Sequence, residues 1–255
     1  MTMLRVKDLT VRYGGLTVVD RLSFSVEEGQ WLMLIGPNGA GKSTVLGALT
    51  QGVPYSGDIL LSGENVKKIK PRLLARQMGM LAQNNAAQYA FTVEEVVALG
   101  RYSYSAGPLS GRGTGDEEAV AAALELTGLG ERRGQSILTL SGGELQRTFL
   151  AQVLAQDPKL LLLDEPANHL DLVYQKQVFG ILSDWLKTPG RAVVSVVHDL
   201  SLARAYGTRA LLMDRGRAVL EGEISEVLAP GPLDEVYRMD VGKWMRRMLS
   251  QWEAG

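Results

Sequence analysis

The segment Gly36-Pro37-Asn38-Gly39-Ala40-Gly41-Lys42-Ser43-Thr44 has the spacing G-x-x-x-x-G-K-[ST], in which glycines let backbone N–H groups turn inward on phosphate oxygens. Lys42 is placed to reach the β- and γ-phosphates of a nucleotide as a mobile point charge, and the Ser43 hydroxyl to ligate a magnesium ion that bridges them. The context fits that chemistry. An unbroken apolar run, Trp31 to Ile35, precedes the loop and a helix-compatible stretch, Lys42 to Leu49, follows it, so that phosphate would meet the positive end of a helix.

A second candidate constellation is Leu160-Leu-Leu-Leu-Asp164-Glu165, which puts two carboxylates at the carboxyl end of a buried strand. Asp164 can hold magnesium through water, and Glu165 can orient or deprotonate an attacking water; the competing reading of Glu165 is a cap or surface ion pair. His198 closes the apolar run Ala192 to Val197, and His169 follows the carboxylate pair; they are the chain's 2 histidines, each readable as structural or functional. Gln83 ends the short segment Met78 to Ala82, where an amide can touch a metal or water or serve structure alone. Tyr13 ends the first strand, either packing on the sheet or stacking on an adenine ring, and Trp31 reads as core.

The run Leu140-Ser141-Gly142-Gly143-Glu144 has the capping-box spacing between Ser141 and Glu144 and precedes an apolar stripe, so it reads as a helix start. It also reads as an anion site, since a hydroxyl and bare N–H groups gather at a helix N-terminus. The two readings are compatible.

Around these residues the elements alternate in type. Leu4 to Tyr13 and Thr17 to Val26 alternate apolar and polar residues about Gly14-Gly15, predicting two antiparallel strands and a tight turn. The runs at 31–35, 160–163 and 192–197 are continuous, as in buried parallel strands, with a helix expected over Leu172 to Leu186. Between them strand signals fade, and Thr92 to Leu99, Asp116 to Thr127 and Ser141 to Ala155 read as helices. Gly107 to Gly115 reads as a glycine-rich surface link. The expected architecture is an α/β P-loop core with an antiparallel β subdomain and an inserted helical subdomain. The chain forms one domain, with core 1–83 and 159–255 and insert 84–158.

Composition narrows the class. In 255 residues, 27 basic side chains nearly cancel 28 acidic ones, so no general attraction to nucleic acid or anionic membrane is expected. The absence of cysteine excludes disulfides, thiol catalysis and Cys-based zinc sites. The apolar runs are too short to cross a bilayer, and the charged start argues against a signal peptide. The end segment, Gly242 to Trp252, reads as an amphipathic helix that packs on the core or touches a membrane partner.

Taken in order, Tyr13, Gly36 to Thr44, Gln83, Leu140 to Glu144, Leu160 to Glu165, His169-Leu170-Asp171 and His198 resemble the ATP-binding cassette ATPases of ABC transporters over nearly the whole chain. The resemblance implies ATP and Mg2+ as cofactors and a head-to-tail homodimer. In such a dimer Ser141, Gly142, Gly143 and Glu144 complete the partner's site in trans. It also implies Glu165 as catalytic base, His198 as γ-phosphate switch, Gln83 as the link between magnesium and the helical insert, Asp171 at the dimer interface and Tyr13 on the adenine. Two membrane permease subunits, a periplasmic or surface substrate-binding protein, no nucleic acid, and a peripheral place on the cytoplasmic face of the membrane are likewise implied.

Narrower features, Thr92 to Arg101, Asn168-His169-Leu170-Asp171 and Gly222 to Leu228, look like the importers of iron-siderophores, haem and cobalamin. Ala167, often Thr in the family, and Lys243 to Trp252 depart from the usual pattern. An exporter ATPase is the alternative, and a soluble cassette acting on DNA or ribosomes a more distant one.

Overall fold

A computed structural model describes residues 1–83, 89–104, 114–168 and 170–253. His169 and residues 107–113 of the expected glycine-rich link lie outside them. In chain order the chain begins with β1 (Thr2–Tyr13), β2 (Leu16–Glu27), β3 (Trp31–Ile35), α1 (Lys42–Leu49), β4 (Ser56–Leu61), β5 (Glu64–Asn65), α2 (Pro71–Gln77) and β6 (Met78–Leu81). Helices α3 (Val93–Leu99), α4 (Thr114–Leu126) and α5 (Gly142–Ala155) follow, then β7 (Leu160–Asp164), α6 (Leu172–Leu186), β8 (Ala192–Val196) and α7 (Leu200–Tyr206). The chain closes with β9 (Arg209–Asp214), β10 (Arg217–Glu223), α8 (Ile224–Val227), α9 (Pro232–Tyr237) and α10 (Val241–Glu253).

Among the described residues the strands form two sheets. One is antiparallel in the order β2-β1-β4-β5, and the other has the order β10-β9-β3-β8-β7-β6. In the larger sheet β9, β3, β8, β7 and β6 are parallel, and β10 pairs antiparallel to β9 at the edge. Strands β3, β7 and β8 are buried along their whole length, the reason their sequences are continuously apolar rather than alternating. Successive residues of β3 enter different cores. Trp31, Met33 and Ile35 pack with the helices, whereas Leu32 and Leu34 pack with α1 and the antiparallel sheet.

Trp31 is core, as its sequence context suggests: its ring stacks on Phe179 with centroids 5.4 Å apart, and its indole N–H donates to Ser195 Oγ at 2.7 Å. Helices α3, α4 and α5 pack on one another, and each of α3 and α5 starts at a capping box, Thr92–Glu95 and Ser141–Glu144. Strands β4, β5, β9 and β10 lie where the local pattern alone assigns none. Helix α10 forms as expected but is only partly packed. Val241 is buried and Met245 meets the core, while Trp244, Met248, Leu249 and Trp252 are exposed.

Candidate functional site

Four adjacent parallel strands, β3, β8, β7 and β6, all end on one side of the sheet, and each delivers a chemically distinct group there. Strand β3 runs into the phosphate loop, β7 ends at Asp164 with Glu165 next, β8 leads to His198, and β6 leads to Gln83. Glu165, His198, Gln83, Val18 and Asn168 line a cleft of about 720 Å³ together with Asn38, Gly39, Ala40, Gly41, Lys42, Ser43 and Thr44 of the loop.

The loop has the geometry its glycines allow. Gly36 sits at φ 141°, and a Cβ there would run into the Met213 carbonyl of β9. Gly41, at φ 96°, is the N-cap of α1, and no side chain caps that helix start, so its first N–H groups are left for a ligand. The turn between β9 and β10 braces the loop from behind: Gly216 N–H donates to the Ala40 carbonyl at 3.1 Å and Asp20 N–H to the Gly216 carbonyl at 2.9 Å. Tyr237 of α9 lies beside the backbone of Gly36. These braces escaped sequence reasoning because each lies in a strand turn or helix with no motif of its own.

Lys42 is 5% exposed, with Nζ donating to the carbonyls of Gly36 at 2.7 Å and Pro37 at 2.9 Å. Burial pulls the lysine below its usual value, and the carboxylates of Glu165 and Asp164 oppose that pull. A phosphate chain entering the loop would supply further negative charge. Asp164 is equally sequestered, 6% exposed, and accepts from Ser43 Oγ at 3.0 Å. Burial pushes its carboxyl above the usual aspartate value and Glu165 adds to that, against the Ser43 hydrogen bond, His198 and Lys42. Ser43 and Asp164 thus bring a hydroxyl and a carboxylate oxygen together at the mouth of the loop. This all-oxygen pair suits a hard cation shared with phosphate. Among the described residues no group of three or more His, Asp or Glu gathers to form a protein-only metal cage.

Glu165 is the hub. Its Oε1 lies 2.6 Å from His198 Nε2, and its Oε2 accepts from Gln83 Nε2 at 2.8 Å and from Asn168 Nδ2 at 2.6 Å. Its backbone is left-handed, at φ 53°, a conformation that costs a non-glycine residue about 1 kcal/mol or more. Thus Gln83, Glu165 and His198, far apart in sequence, form one cluster, and Asn168, which the sequence offers within Asn168-His169-Leu170-Asp171 but with no role at the site, joins it.

Other expected residues lie elsewhere. Tyr13 is half exposed at the end of β1 and is not part of the cleft lining, which has Val18 in that region. Ser141, Gly142, Gly143 and Glu144 are also outside that lining, at the start of α5. There Glu144 N–H donates to Ser141 Oγ at 3.4 Å, Ser141 N–H donates to Glu144 Oε2 at 2.9 Å, and Arg132 pairs with Glu144 at 2.8 Å. The Ser141 backbone, ahead of Arg132, holds the Glu144 carboxyl below its ordinary value. Gly143 packs against the ring of Tyr174, where any Cβ would clash. Asp171 is exposed and caps α6 by accepting from Tyr174 N–H at 3.0 Å.

Comparison with known proteins gives the family. The ABC transporter family model matches residues 19–168. The ferric enterobactin transport ATP-binding protein FepC of Escherichia coli (strain K12) is 37% identical over 92% of this chain and 86% of its own length. The hemin import ATP-binding protein HmuV of Streptomyces coelicolor is 43% identical over 91% of this chain and 82% of its own. A nucleotide-free ATP-binding cassette from an ABC transporter shares the fold at a TM-score of 0.83 and 22% identity, covering 93% of this chain and 99% of that one. The chain belongs to the ABC transporter family, as one of its ATP-binding, ATP-hydrolysing cassettes.

Proposed function

We propose that this chain powers import of a chelated-iron compound or its kind, an iron-siderophore, haem or cobalamin, through a separate membrane permease with which it forms a peripheral complex on the cytoplasmic face. What supports the activity is the convergence of the phosphate loop, Asp164–Glu165, His198 and Gln83 at the ends of four neighbouring strands. What supports the substrate class is the likeness to proteins named for ferric enterobactin and hemin transport.

The loop N–H groups and Lys42 hold the β- and γ-phosphates, the Lys42 ammonium exchanging the carbonyls of Gly36 and Pro37 for phosphate oxygens. Ser43 and Asp164 would hold Mg2+, with Gln83 as a further oxygen donor once its amide leaves Glu165, and the ion would supply positive charge to offset that developing on the phosphates. Glu165 takes the proton of the attacking water, and His198, bonded to the same carboxylate, reads the γ-phosphate. Tyr13 stacks on the adenine.

Because Ser141, Gly142, Gly143 and Glu144 stand away from the cleft of their own chain, they serve a second copy in a head-to-tail homodimer, with Asp171 at the contact. The chain divides into a core, 1–83 and 159–255, and a helical subdomain, 84–158, with the permease engaging near Thr92 to Arg101. A substrate-binding protein delivers cargo to that permease. ATP favours the closed dimer and hydrolysis releases it, so differential affinity drives the cycle.

Glu165→Gln tests the assignment: ATP binding persists while turnover falls about 10²–10⁴-fold, the worth of a general base. Near-normal hydrolysis in that variant would remove Glu165 from the mechanism. Co-purification of the permease, and stimulation of its ATPase by binding proteins loaded with siderophore, haem or cobalamin, tests the substrate class; a partner that works without any binding protein indicates export instead.

A further inference from the structure

We infer that Asn168 is a positioning residue for hydrolysis, holding one oxygen of Glu165 so that the other is presented to the attacking water; this rests on the reading of Glu165 as the base. Asn168 grips Glu165 twice. Its backbone N–H donates to the Glu165 carbonyl at 3.1 Å, and its Nδ2 donates to Oε2 at 2.6 Å. A carboxylate only accepts hydrogen bonds, so the amide nitrogen is the atom that faces it. The backbone bond closes the turn that keeps Glu165 left-handed, with Glu165 N–H donating to the Val196 carbonyl of β8 at 3.1 Å on the other side.

The division of labour between the two oxygens carries the inference. Oε2 takes two amide donors, Gln83 and Asn168, whereas Oε1 faces His198, which gives it up to the water when the imidazole turns to the γ-phosphate. Gln83 is the amide proposed to leave for the metal. Among the described residues Asn168 Nδ2 bonds only Glu165, so it stays behind as the donor on Oε2. Without it the carboxylate is free to rotate about its last torsion, a broad and soft one, and Oε1 is no longer aimed.

Steady-state hydrolysis by the full chain tests this. Asn168→Asp keeps the size of the side chain but replaces the donor with a repelling carboxylate, and Asn168→Ala removes it. Each lowers kcat about tenfold, the scale of one hydrogen bond to a charged group, and leaves KM for ATP within about twofold. Asn168→Gln, which keeps an amide donor, recovers most of the loss. In a Glu165→Gln background Asn168→Ala lowers the residual rate no further, because a residue acting through Glu165 has nothing left to position.

Full kcat in Asn168→Asp and Asn168→Ala, or an equal loss with and without the Glu165 carboxylate, overturns the inference while a dead Glu165→Gln leaves the base assignment standing. A fully active Glu165→Gln overturns both.

Discussion

The phosphate loop and the Ser141–Glu144 turn are both glycine-rich starts of helices, yet they meet their exposed N–H groups in opposite ways. At Gly41 no side chain caps α1, the loop is pressed between β2 and the β9–β10 turn, and the N–H groups await a ligand from outside. At Ser141 the helix caps itself through Glu144, which Arg132 also holds, and the turn stands away from the cleft. One start is incomplete without a nucleotide. The other is complete as a fold element, which fits a surface that a second molecule reads. The two are mechanically joined in one chain, since Gln146 of α5 donates to the Pro166 carbonyl, next to Glu165, at 3.1 Å.

The comparison breaks most sharply at the loop. Lys42→Ala removes the mobile cation and is expected to lower hydrolysis by about 10³-fold or more, and nucleotide affinity with it; equilibrium binding of a fluorescent ATP analogue shows the second loss. Ser141→Arg is expected to abolish most hydrolysis, about 10²-fold or more, while the monomer still binds nucleotide. If both variants lose binding alike, the two helix starts belong to one site, and the distinction between them fails.

Smaller effects separate capping from chemistry. Ser141→Ala forfeits a cap worth about 1 kcal/mol, a fall in Tm of about 2–4 °C for a chain of this size; an unchanged Tm would mean that the box does not hold the helix start. Asp164→Asn is expected to raise Tm slightly as it stops hydrolysis. Burial raises the Asp164 pKa in the folded state, so the ionised form weighs against folding above that value. The gain is therefore present at neutral pH and fades as pH falls and Asp164 takes up its proton, which thermal melts across pH would show. A gain that grows toward acid would reverse the sign of this argument.

Much of this was legible residue by residue. The spacing of Gly36 to Thr44, the Ser141–Glu144 box and the apolar runs of β3, β7 and β8 are local signals, and helices α1 and α6 span Lys42–Leu49 and Leu172–Leu186 as their patterns predict. Local chemistry determines such features because caps, glycine turns and buried runs are satisfied within a few residues. Packing of the end segment was less legible: an amphipathic pattern predicts α10 but not that Trp244 and Trp252 stay exposed.

Only the tertiary structure decided the strand order β10-β9-β3-β8-β7-β6, and with it the meeting of Gln83 and His198 on Glu165 across separations of 82 and 33 residues. Which buried strand pairs with which is settled by long-range competition for the core and by loop closure, and neither leaves a periodic trace in the sequence. The placement of Asn168 on Glu165 is of the same kind. Its residue type was visible, but its partner depended on a left-handed turn held by β8, an element that comes after it in the chain.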